Sequence, residues 1–309
     1  MDTGFRPEIE RALQFITEHL DSPLTVAQVA RAAHLSEFHF HRVFHAVVGE
    51  PVGRFITRRR LELAALRLAY EPDRNITDIA LSSGYSSTSN FSKAFSAHFG
   101  CSPTRVRQPE LGLPSAIGRL TAVYGKDFQP SDLYALPPEV APEERRRRAA
   151  EWDARVRFVT TEGLDFACLA SPGGYDLATL EQTWSELIGH ARQLGLCEEA
   201  VDAWGIAHDS PQLTAPEWCR YHACVPCPPD RPLPPPLFRG RLSQGRYAVF
   251  RYAGEVAGVE LAYRSIYSCW FPESILAPDD FTPIDHYISD EPKDGHIDLE
   301  LWFKVRPRR

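Results

Sequence analysis

The sequence predicts a multidomain protein with an all-α N-terminal domain and a C-terminal α+β domain. The chain has 309 residues, more than one hydrophobic core usually serves. Residues 1–108 carry apolar side chains at helical spacing, whereas strand-like runs alternate with two helical segments from residue 155 onward. Between them, residues 109–153 are rich in proline and contain an arginine run, which is typical of a linker. The expected domains are therefore 1–108 and 154–309, joined by a linker over 109–153.

Composition and charge restrict the class of protein. Hydrophobic residues make up 43% and charged residues 24%, as in globular proteins that are neither disordered nor embedded in a membrane. No run approaches the ~18 apolar residues of a membrane span, and the N-terminus lacks an apolar signal segment. We expect a cytoplasmic protein with no membrane partner. The net charge of −7 is uneven, with +2 over residues 1–108 and −8 over residues 152–309, so phosphate binding is expected in the N-terminal part.

The seven cysteines are expected to be reduced thiols. Cys224 and Cys227, with His222 nearby, invite a zinc interpretation. However, the surrounding residues alternate as in a strand, which would place positions 224 and 227 on opposite faces. We therefore expect no metal site and no cofactor.

The N-terminal part contains an internal repeat with an offset of about 50 residues. Residues Thr25–Ala30 are matched by Asn75–Ala80, and each copy begins with a residue type that caps helix N-termini. A turn and a second helix follow in both copies, Leu35–Phe44 in the first and Tyr85–Phe95 in the second. This order predicts two helix-turn-helix units.

The second helix of each unit is expected to contact duplex DNA. In the first unit, the polar stripe opposite the core-facing residues consists of Phe38, His41, Arg42 and His45. In the second unit, with Ser86 as the expected N-cap, the matching surface consists of Thr88, Ser89, Ser92 and Lys93. Arg42 could pair bidentately with guanine, and the short hydroxyl groups favour phosphate contacts. The alternative is that both helices are amphipathic with solvated faces, and two matched units in tandem weaken it.

This half of the chain resembles the AraC/XylS family of regulators over about residues 7–107. The resemblance is carried by Ile79-Ala80, Ser83-Gly84-Tyr85, Asn90-Phe91-Ser92-Lys93, Phe95, Gly100, Pro103 and Arg107. It implies two helix-turn-helix units bridged by a long helix, here Val52–Tyr70, with recognition helices about 34 Å apart. Phe38 departs from the residue usual at its position. Arg58–Arg60, within the bridging helix, is open to two interpretations, solvated charge or phosphate anchoring.

A second duplication is expected within residues 155–306, each half having the order β-β-α-β-β. This region resembles the GyrI-like effector-binding domain over nearly all of residues 154–306. The resemblance is carried by Gly173-Gly174-Tyr175, Gly205–Asp209, Arg220–Val225, Gly245–Phe250 and Asp298–Trp302. It implies a pseudo-twofold α+β domain whose cleft binds small, often cationic amphipathic molecules.

The alternation of the last strand places Asp298, Glu300 and Trp302 on one face. If that face lines the cleft, Glu300 is a poorly solvated carboxylate beside an aromatic ring, an arrangement that attracts cations. Further expected walls of the site are Tyr175, Trp204 and Trp270. Burial in the core is the alternative for each aromatic residue, and a solvent-exposed edge strand is the alternative for Glu300.

These features together predict a one-component transcription regulator that is not an enzyme. Its expected partners are double-stranded promoter or operator DNA, a small-molecule effector and RNA polymerase. Activation is the expected mode, although the residues leave repression open. Two other functions remain for the C-terminal half: a small-molecule hydrolase with Glu300 as a general base of raised pKa, and a protein-binding module.

Overall fold

The structure is a computed structural model that describes residues 5–71, 73–107, 141–198, 200–210, 213–214, 218–288 and 295–308. These residues belong to two compact units. The first contains the N-terminal helices together with Pro232–Arg239, and the second contains the remainder from residue 141 onward. Within the described ranges, no helix combines the length and the apolar character that a membrane crossing requires. Residues 108–140, most of the expected linker, lie outside the described residues.

The first unit is entirely helical in its N-terminal part. Its helices are α1 (Arg6–Glu18), α2 (Val26–Ala32), α3 (Glu37–Val48), α4 (Val52–Tyr70), α5 (Ile76–Ser82), α6 (Thr88–Phe99) and α7 (Pro103–Val106). The pairs α2–α3 and α5–α6 are the two predicted helix-turn-helix units, and α4 has the bounds that the sequence predicted for the bridging helix.

Helix caps explain where the helices of the two units begin. Thr25 and Gln28 form a reciprocal capping box at the start of α2. Asn75 accepts the Asp78 backbone N–H at 2.7 Å at the start of α5. Helix α6 is capped by Ser87, whose hydroxyl accepts the Asn90 N–H. The predicted cap, Ser86, was therefore wrong by one position.

Apolar side chains at helical spacing hold each unit together. In α3, Phe40 and Phe44 are fully buried and their rings contact each other. In α6, Phe91, Phe95 and Phe99 form the corresponding series. Burial of one such phenylalanine is worth ~1.5–3 kcal/mol. Both helices end in a glycine with positive φ, Gly49 and Gly100.

The arginine run in α4 has a structural role, which corrects both interpretations that the sequence left open. Arg58 is buried and forms ion pairs with Glu50 at 2.7 Å and with Glu62 at 2.8 Å. Arg59 also pairs with Glu62, and Arg60 donates to the backbone carbonyls of residues 20 and 22. Because these guanidinium groups are engaged inside the unit, the run is neither a solvated stripe nor a phosphate anchor.

The second unit is an α+β fold. Its helices are α8 (Pro142–Asp153), α9 (Leu177–Gln193), α10 (Val259–Ser265), which continues into a π-helical turn (Ile266–Trp270), and α11 (Phe271–Glu273). Its sheet, in which the first two residues of β5 are grouped with the first unit, has the strands β1 (Val156–Thr161), β2 (Leu164–Ala170), β3 (Ala203–Ala207), β4 (Tyr221–Pro226), β5 (Phe238–Leu242), β6 (Gly245–Glu255), β7 (Leu276–Pro278), β8 (Ile284–Tyr287) and β9 (His296–Pro307).

The described strands form an antiparallel sheet in the order β1-β6-β9-β8-β3-β4-β2-β5, with β7 beside β9. At its centre, β3 pairs with β8 so that Gly205 lies opposite Asp285 and Trp204 opposite His286. Directly opposed residues share a face, so Gly205 and Asp285 lie on one side of the sheet and Trp204 and His286 on the other.

The helices define which face is which. Tyr263 of α10 and Tyr267 of the π-helical turn contact Phe303 of β9, so this side is called the helix face. The alternation of β9 then places Glu300 and Trp302 on the opposite side, the far face. Leu299 and Leu301, like Phe303, are buried on the helix face, as the strand pattern predicted.

The C-terminal end of the expected linker is an ordered helix, α8. Its Trp152 is buried against Phe250 and donates its indole N–H to Ser265 at 2.9 Å. Asp153 accepts from Trp270, and Arg145 forms an ion pair with Glu273. Helix α8 therefore belongs to the second unit, and the packing of Trp152 explains why this segment is helical despite its high charge.

Candidate DNA-binding surface and effector site

The polar face of α3 is open to solvent along its length. Phe38 is 82% exposed, and His41, Arg42 and His45 are exposed beside it. Ser36 caps the helix by accepting the His39 N–H, which fixes where this exposed face begins. An apolar ring beside an arginine suits contact with a thymine methyl group and a guanine edge.

The corresponding face of α6 is smaller and more polar. Ser89 and Lys93 are exposed, and Thr88 and Ser92 are partly exposed. The Thr88 hydroxyl lies 3.3 Å from that of Thr77 in α5, so it is held by the first helix of its own unit. Short hydroxyl groups with one cation fit contacts to phosphate more closely than contacts to bases.

The structure divides the five residues predicted to bind the effector among three places. Glu300, Trp302 and Trp204 lie together on the far face, where the two indole rings are 5.1 Å apart. Trp270 is buried between Phe250 and Phe271 near α8. Tyr175 lies against Tyr221, whose register places it on the helix face.

Glu300 is a compensated carboxylate. Arg157 donates to both of its oxygens at 2.7 Å, and His286 and Trp302 lie within hydrogen-bond distance of Oε2. Burial alone would raise the pKa of Glu300, but the hydrogen bonds from His286 and Arg157 lower this pKa to about 2. The raised pKa expected of a general base at this position was therefore wrong, because the charge of Glu300 is already neutralised.

His286 carries the matching positive charge. It lies between Asp202 and Glu300, at 2.9 and 3.2 Å, and its ring stacks on Trp204 with centroids 4.1 Å apart. Burial alone would lower the pKa of His286, but the hydrogen bonds to Asp202 and Glu300 raise this pKa to about 9. The far face therefore holds a network of ions and aromatic rings whose charged groups pair with one another.

The helix face holds a different acid. Asp285 of β8 accepts a 2.6 Å hydrogen bond from the Tyr263 hydroxyl, and its side chain is partly exposed. Burial raises the pKa of Asp285 to about 6, although the bond from Tyr263 opposes this. Within the described ranges, burial and the Tyr263 hydrogen bond are the influences on this carboxylate, and a cationic ligand would compensate its ionised form.

Aromatic rings surround this carboxylate. The hydroxyls of Tyr221 and Tyr287 are 3.0 Å apart, and the ring of Trp184 meets both edge-on, with centroids at 6.5 and 5.3 Å. Tyr175 contacts Tyr221 from the other side and donates to the Asp209 carbonyl. The acidic aromatic cluster is defined as Tyr175, Trp184, Tyr221, Tyr263, Asp285 and Tyr287. Electron-rich ring faces beside a carboxylate form a site suited to an organic cation.

Sequence reasoning found one member of this cluster, Tyr175. Asp285 was not among the predicted site residues, although it lies within β8, which runs from Ile284 to Tyr287. An alternating reading of Ile284-Asp285-His286-Tyr287 would have placed Asp285 and Tyr287 on one face. The position of Tyr263, in contrast, depends on how α10 lies on the sheet, and no local signal gives that.

The thiols of the possible zinc motif are directed elsewhere. The sulfur of Cys224 lies 3.0 Å from that of Cys168, its cross-strand neighbour, and the sulfur of Cys227 lies near the Pro228 carbonyl. Over the described parts of the chain, no three His, Cys, Asp or Glu side chains are grouped as metal ligands would be.

The geometry defines the class of protein: a double helix-turn-helix unit joined to a domain with an acidic aromatic cluster. Residues 29–109 match the model of a helix-turn-helix domain, and residues 154–306 match that of the GyrI-like small molecule binding domain. The chain is 36% identical over 99 residues to the regulatory protein SoxS of Salmonella typhimurium, covering 32% of this chain and 92% of SoxS. This chain belongs to the AraC/XylS family of transcriptional regulators and carries a C-terminal GyrI-like domain.

Two further proteins are similar to parts of this chain. The transcriptional activator AarP of Providencia stuartii is 34% identical over 133 residues, which cover 43% of this chain and 85% of AarP. The crystal structure of a hydrolase from Listeria innocua is 12% identical and covers 49% of this chain and 92% of that chain, with a TM-score of 0.37. A similarity of that size says nothing about the chemistry of this chain.

Proposed function

We propose that this chain is a one-component transcription regulator that senses a small organic cation in its acidic aromatic cluster. The observation that carries the sensing function is the Asp285 carboxylate, which lies beside tyrosine and tryptophan rings and accepts a hydrogen bond from the Tyr263 hydroxyl. The DNA-binding function is carried by the exposed faces of α3 and α6, with Arg42 and Lys93 as the cations nearest the centre of each.

DNA contact would be divided between the two units. Phe38, His41, Arg42 and His45 of α3 would contact base edges in one major-groove segment. Thr88, Ser89, Ser92 and Lys93 of α6 would contact the next segment along the same face, mainly at phosphates. Since AarP is named as an activator, we propose activation as the mode, with RNA polymerase as the protein partner.

The second unit would be a duplication of a β-β-α-β-β element. If β1, β2, β3 and β4 are exchanged with β5, β6, β8 and β9, the strand order of the sheet reads the same in reverse. Such an exchange corresponds to a twofold axis between β3 and β8, where Gly205 lies opposite Asp285. The cluster would then sit on the axis, where both halves contribute to one ligand site.

The effector signal would leave the cluster through α10. Tyr263 contacts Asp285, and two residues further along the same helix Ser265 accepts the indole N–H of Trp152 in α8. The π-helical turn that follows also holds α8, since Trp270 donates to Asp153, and such turns are frequent at functional sites. A ligand that moves Tyr263 would change how α8 is held, and α8 is the first described helix after residue 140.

The test combines DNA and ligand binding by the full chain. A duplex is first selected from random sequences, and its affinity is then measured by fluorescence anisotropy with and without benzyltrimethylammonium, a small aromatic cation. The expected result is sequence-specific binding with an affinity that rises as the salt concentration falls. This DNA affinity should also change when the cation is added. Identical DNA affinity at saturating cation would exclude sensing of this class, and absence of any selected sequence would exclude the regulator function.

The hydrolase alternative finds its support at a different acid. Hydrogen bonds from His286 and Arg157 lower the pKa of Glu300 and make it a weak base, whereas burial raises the pKa of Asp285 toward neutrality. Incubation of the chain with small electrophilic esters would distinguish the functions. Turnover that is abolished by Asp285→Asn would favour the hydrolase, and ligand retained unchanged would favour the sensor.

A further inference from the structure

Gly205 lies in the middle of β3, opposite Asp285 on one neighbouring strand and Ala223 on the other. A glycine inside a strand weakens it, and it is retained where a backbone or ligand must approach closely or where φ is positive. Gly205 is buried and is not among the glycines with positive φ. The reason for a glycine at this position must therefore be space.

The space above Gly205 is taken by one side chain. A Cβ atom on Gly205 would lie 2.9 Å from Cζ and 3.2 Å from Cε2 of Tyr221, and closer still to its hydroxyl oxygen. All three nearest atoms belong to the side chain of Tyr221, a residue that is 5% exposed. The ring of Tyr221 therefore lies directly on the backbone of β3, a position that any larger residue would prevent.

The position of Tyr221 determines the floor of the acidic aromatic cluster. Its hydroxyl meets that of Tyr287, and its ring touches Trp184 and Tyr175. A methyl group at position 205 would lift Tyr221 away from the sheet, toward the side on which Tyr263 and Asp285 face each other. The displaced ring would then take up the volume that a flat ligand needs.

We propose that Gly205 is a specificity-determining residue: by seating Tyr221 on the sheet, it sets the depth of the cluster and so admits cations that carry an aromatic ring. This inference rests on the proposed function, since it concerns the same site. It assigns Gly205 a positioning role through Tyr221, without contact between Gly205 and the ligand.

The experiment compares two cations on three full-length proteins by calorimetry. In Gly205→Ala, benzyltrimethylammonium should bind about tenfold more weakly or worse, as expected when one methyl group is misplaced in an apolar site. Tetramethylammonium, which has no ring, should change by less than about threefold. The control is Gly189→Ala in α9, where a Cβ atom meets nothing within 4 Å, and both affinities should be unchanged.

Each outcome has one meaning. If the unaltered chain fails to bind benzyltrimethylammonium, the proposed function fails and the role of Gly205 falls with it. If the unaltered chain binds it and Gly205→Ala binds both cations as the parent does, the inference about Gly205 fails and the proposed function stands. An equal loss for both cations would also overturn the inference, because a merely destabilised fold would produce it.

A second variant decides the matter if Gly205→Ala does not fold. Tyr221→Leu removes the ring that the methyl group would strike. The double variant Gly205→Ala/Tyr221→Leu should then match Tyr221→Leu in melting temperature and in tetramethylammonium affinity to within about twofold, because the two positions are coupled only through that ring. A double variant that is again unstable would show that Gly205 is required for a reason other than Tyr221.

Discussion

The hydroxyl of Tyr263 donates a 2.6 Å hydrogen bond to Oδ1 of Asp285, joining α10 to the central strand pair of the sheet. Asp285 is partly exposed but sits deep enough for burial to raise its pKa to about 6. Ionised Asp285 is therefore unfavourable in the free protein, and a bound cation would relieve that cost. The same bond attaches the acid to the helix that holds α8 through Ser265.

The first prediction concerns the pH dependence of cation binding. Because only ionised Asp285 attracts a cation, affinity for benzyltrimethylammonium should be constant well above pH 6 and fall as the pH drops through the pKa of about 6. At pH 5 it should be about tenfold weaker than at pH 8, since one pKa unit corresponds to a factor of ten in the ionised fraction. Calorimetry across this range measures the effect.

Two controls isolate the carboxylate. Asp285→Asn should bind the cation weakly at every pH, with the slope abolished. Neopentylbenzene, the uncharged isostere of benzyltrimethylammonium, should bind the parent chain and Asp285→Asn alike and show no pH dependence. A steep pH profile that persists in Asp285→Asn would assign the titrating group elsewhere.

The second prediction concerns the cations of the two recognition helices. Arg42→Ala should weaken binding to a selected duplex by ~1–3 kcal/mol and relax discrimination at one base, if the guanidinium contacts guanine. Lys93→Ala should weaken binding to all sequences alike and reduce the slope of log affinity against log salt by about one, as expected for a single phosphate contact. Anisotropy titrations at several salt concentrations separate these results.

Arg192→Ala is the matched control, because Arg192 is an exposed arginine at the end of α9 in the second unit. It should leave both affinity and salt slope unchanged. If Arg42→Ala behaves like this control, α3 does not enter the groove with the face defined by Phe38, His41, Arg42 and His45.

The helical unit could be predicted closely because its signals are local. Capping residues such as Thr25 and Asn75 act within one turn, so the helix starts follow from the sequence. The single error at the start of α6 arose because Ser86 and Ser87 are both good caps, and the choice depends on the backbone of the turn. The buried role of Arg58 was hidden for a different reason: helical spacing reveals its pair with Glu62, but its other partner, Glu50, precedes α4.

The surroundings of the acidic residues in the second unit could be predicted only in part. Alternation along β9 correctly separated Leu301 from Glu300, but it could not show that Arg157, 143 positions away, neutralises Glu300. Nor could it show which face the helices cover, because that depends on long-range packing of α10. In the structure, Asp285 rather than Glu300 has the environment that was expected of Glu300, a carboxylate beside aromatic rings with a pKa raised by burial.

The third prediction concerns the buried ion pairs of α4. Arg58→Met should destabilise the helical unit by ~3–5 kcal/mol, because Glu50 and Glu62 would remain buried without their shared partner. All six tryptophans lie in residues 152–302, so tryptophan fluorescence reports on the second unit alone. In this variant, the urea midpoint monitored by circular dichroism should therefore fall, while the midpoint monitored by tryptophan fluorescence should be unchanged.

Arg54→Ala is the control for this experiment. Arg54 lies on the same helix and 4.0 Å from Glu50, but its side chain is 71% exposed. A pair of this kind contributes ~0–1 kcal/mol, so the transition should barely move. Equal effects of the two substitutions would mean that burial of Arg58 contributes nothing.

The fourth prediction concerns the far-face network. Hydrogen bonds from His286 and Arg157 lower the pKa of Glu300 from 4.5 to about 2, so its stabilisation is present above pH 4.5 and is lost as the pH falls toward 2. Hydrogen bonds to Asp202 and Glu300 raise the pKa of His286 from 6.5 to about 9, so its stabilisation is complete below pH 6.5 and is lost as the pH rises through 9. The contribution of these two groups to the melting temperature of the second unit, measured as the difference from the Glu300→Gln variant, should be greatest between pH 4.5 and 6.5.

Glu300→Gln should lower the melting temperature of the second unit, because His286 loses one of its two carboxylate partners. For the same reason, the melting temperature of this variant should decrease less as the pH rises toward 9. Affinity for benzyltrimethylammonium should stay within about twofold, since Arg157 already compensates the charge that is removed. Glu181→Gln, on the exposed side of α9, is the matched control. Loss of cation binding in Glu300→Gln with the fold intact would return the effector site to the far face.

The fifth prediction concerns the route from the cluster to α8. Benzyltrimethylammonium should change hydrogen exchange at the backbone amides of residues 142–153, because α10 carries both Tyr263 and Ser265, the acceptor of the Trp152 indole. Trp152→Phe keeps an aromatic ring against Phe250 but removes that N–H donor. In this variant the cation should bind with affinity within about twofold of the parent, because the cluster is untouched, while the change in hydrogen exchange in α8 is reduced.

Neopentylbenzene, which lacks the charge that engages Asp285, should produce a smaller change in hydrogen exchange in either protein. An undiminished response in Trp152→Phe would mean that the signal reaches α8 by another path, with Trp270 and Asp153 the next contact to remove.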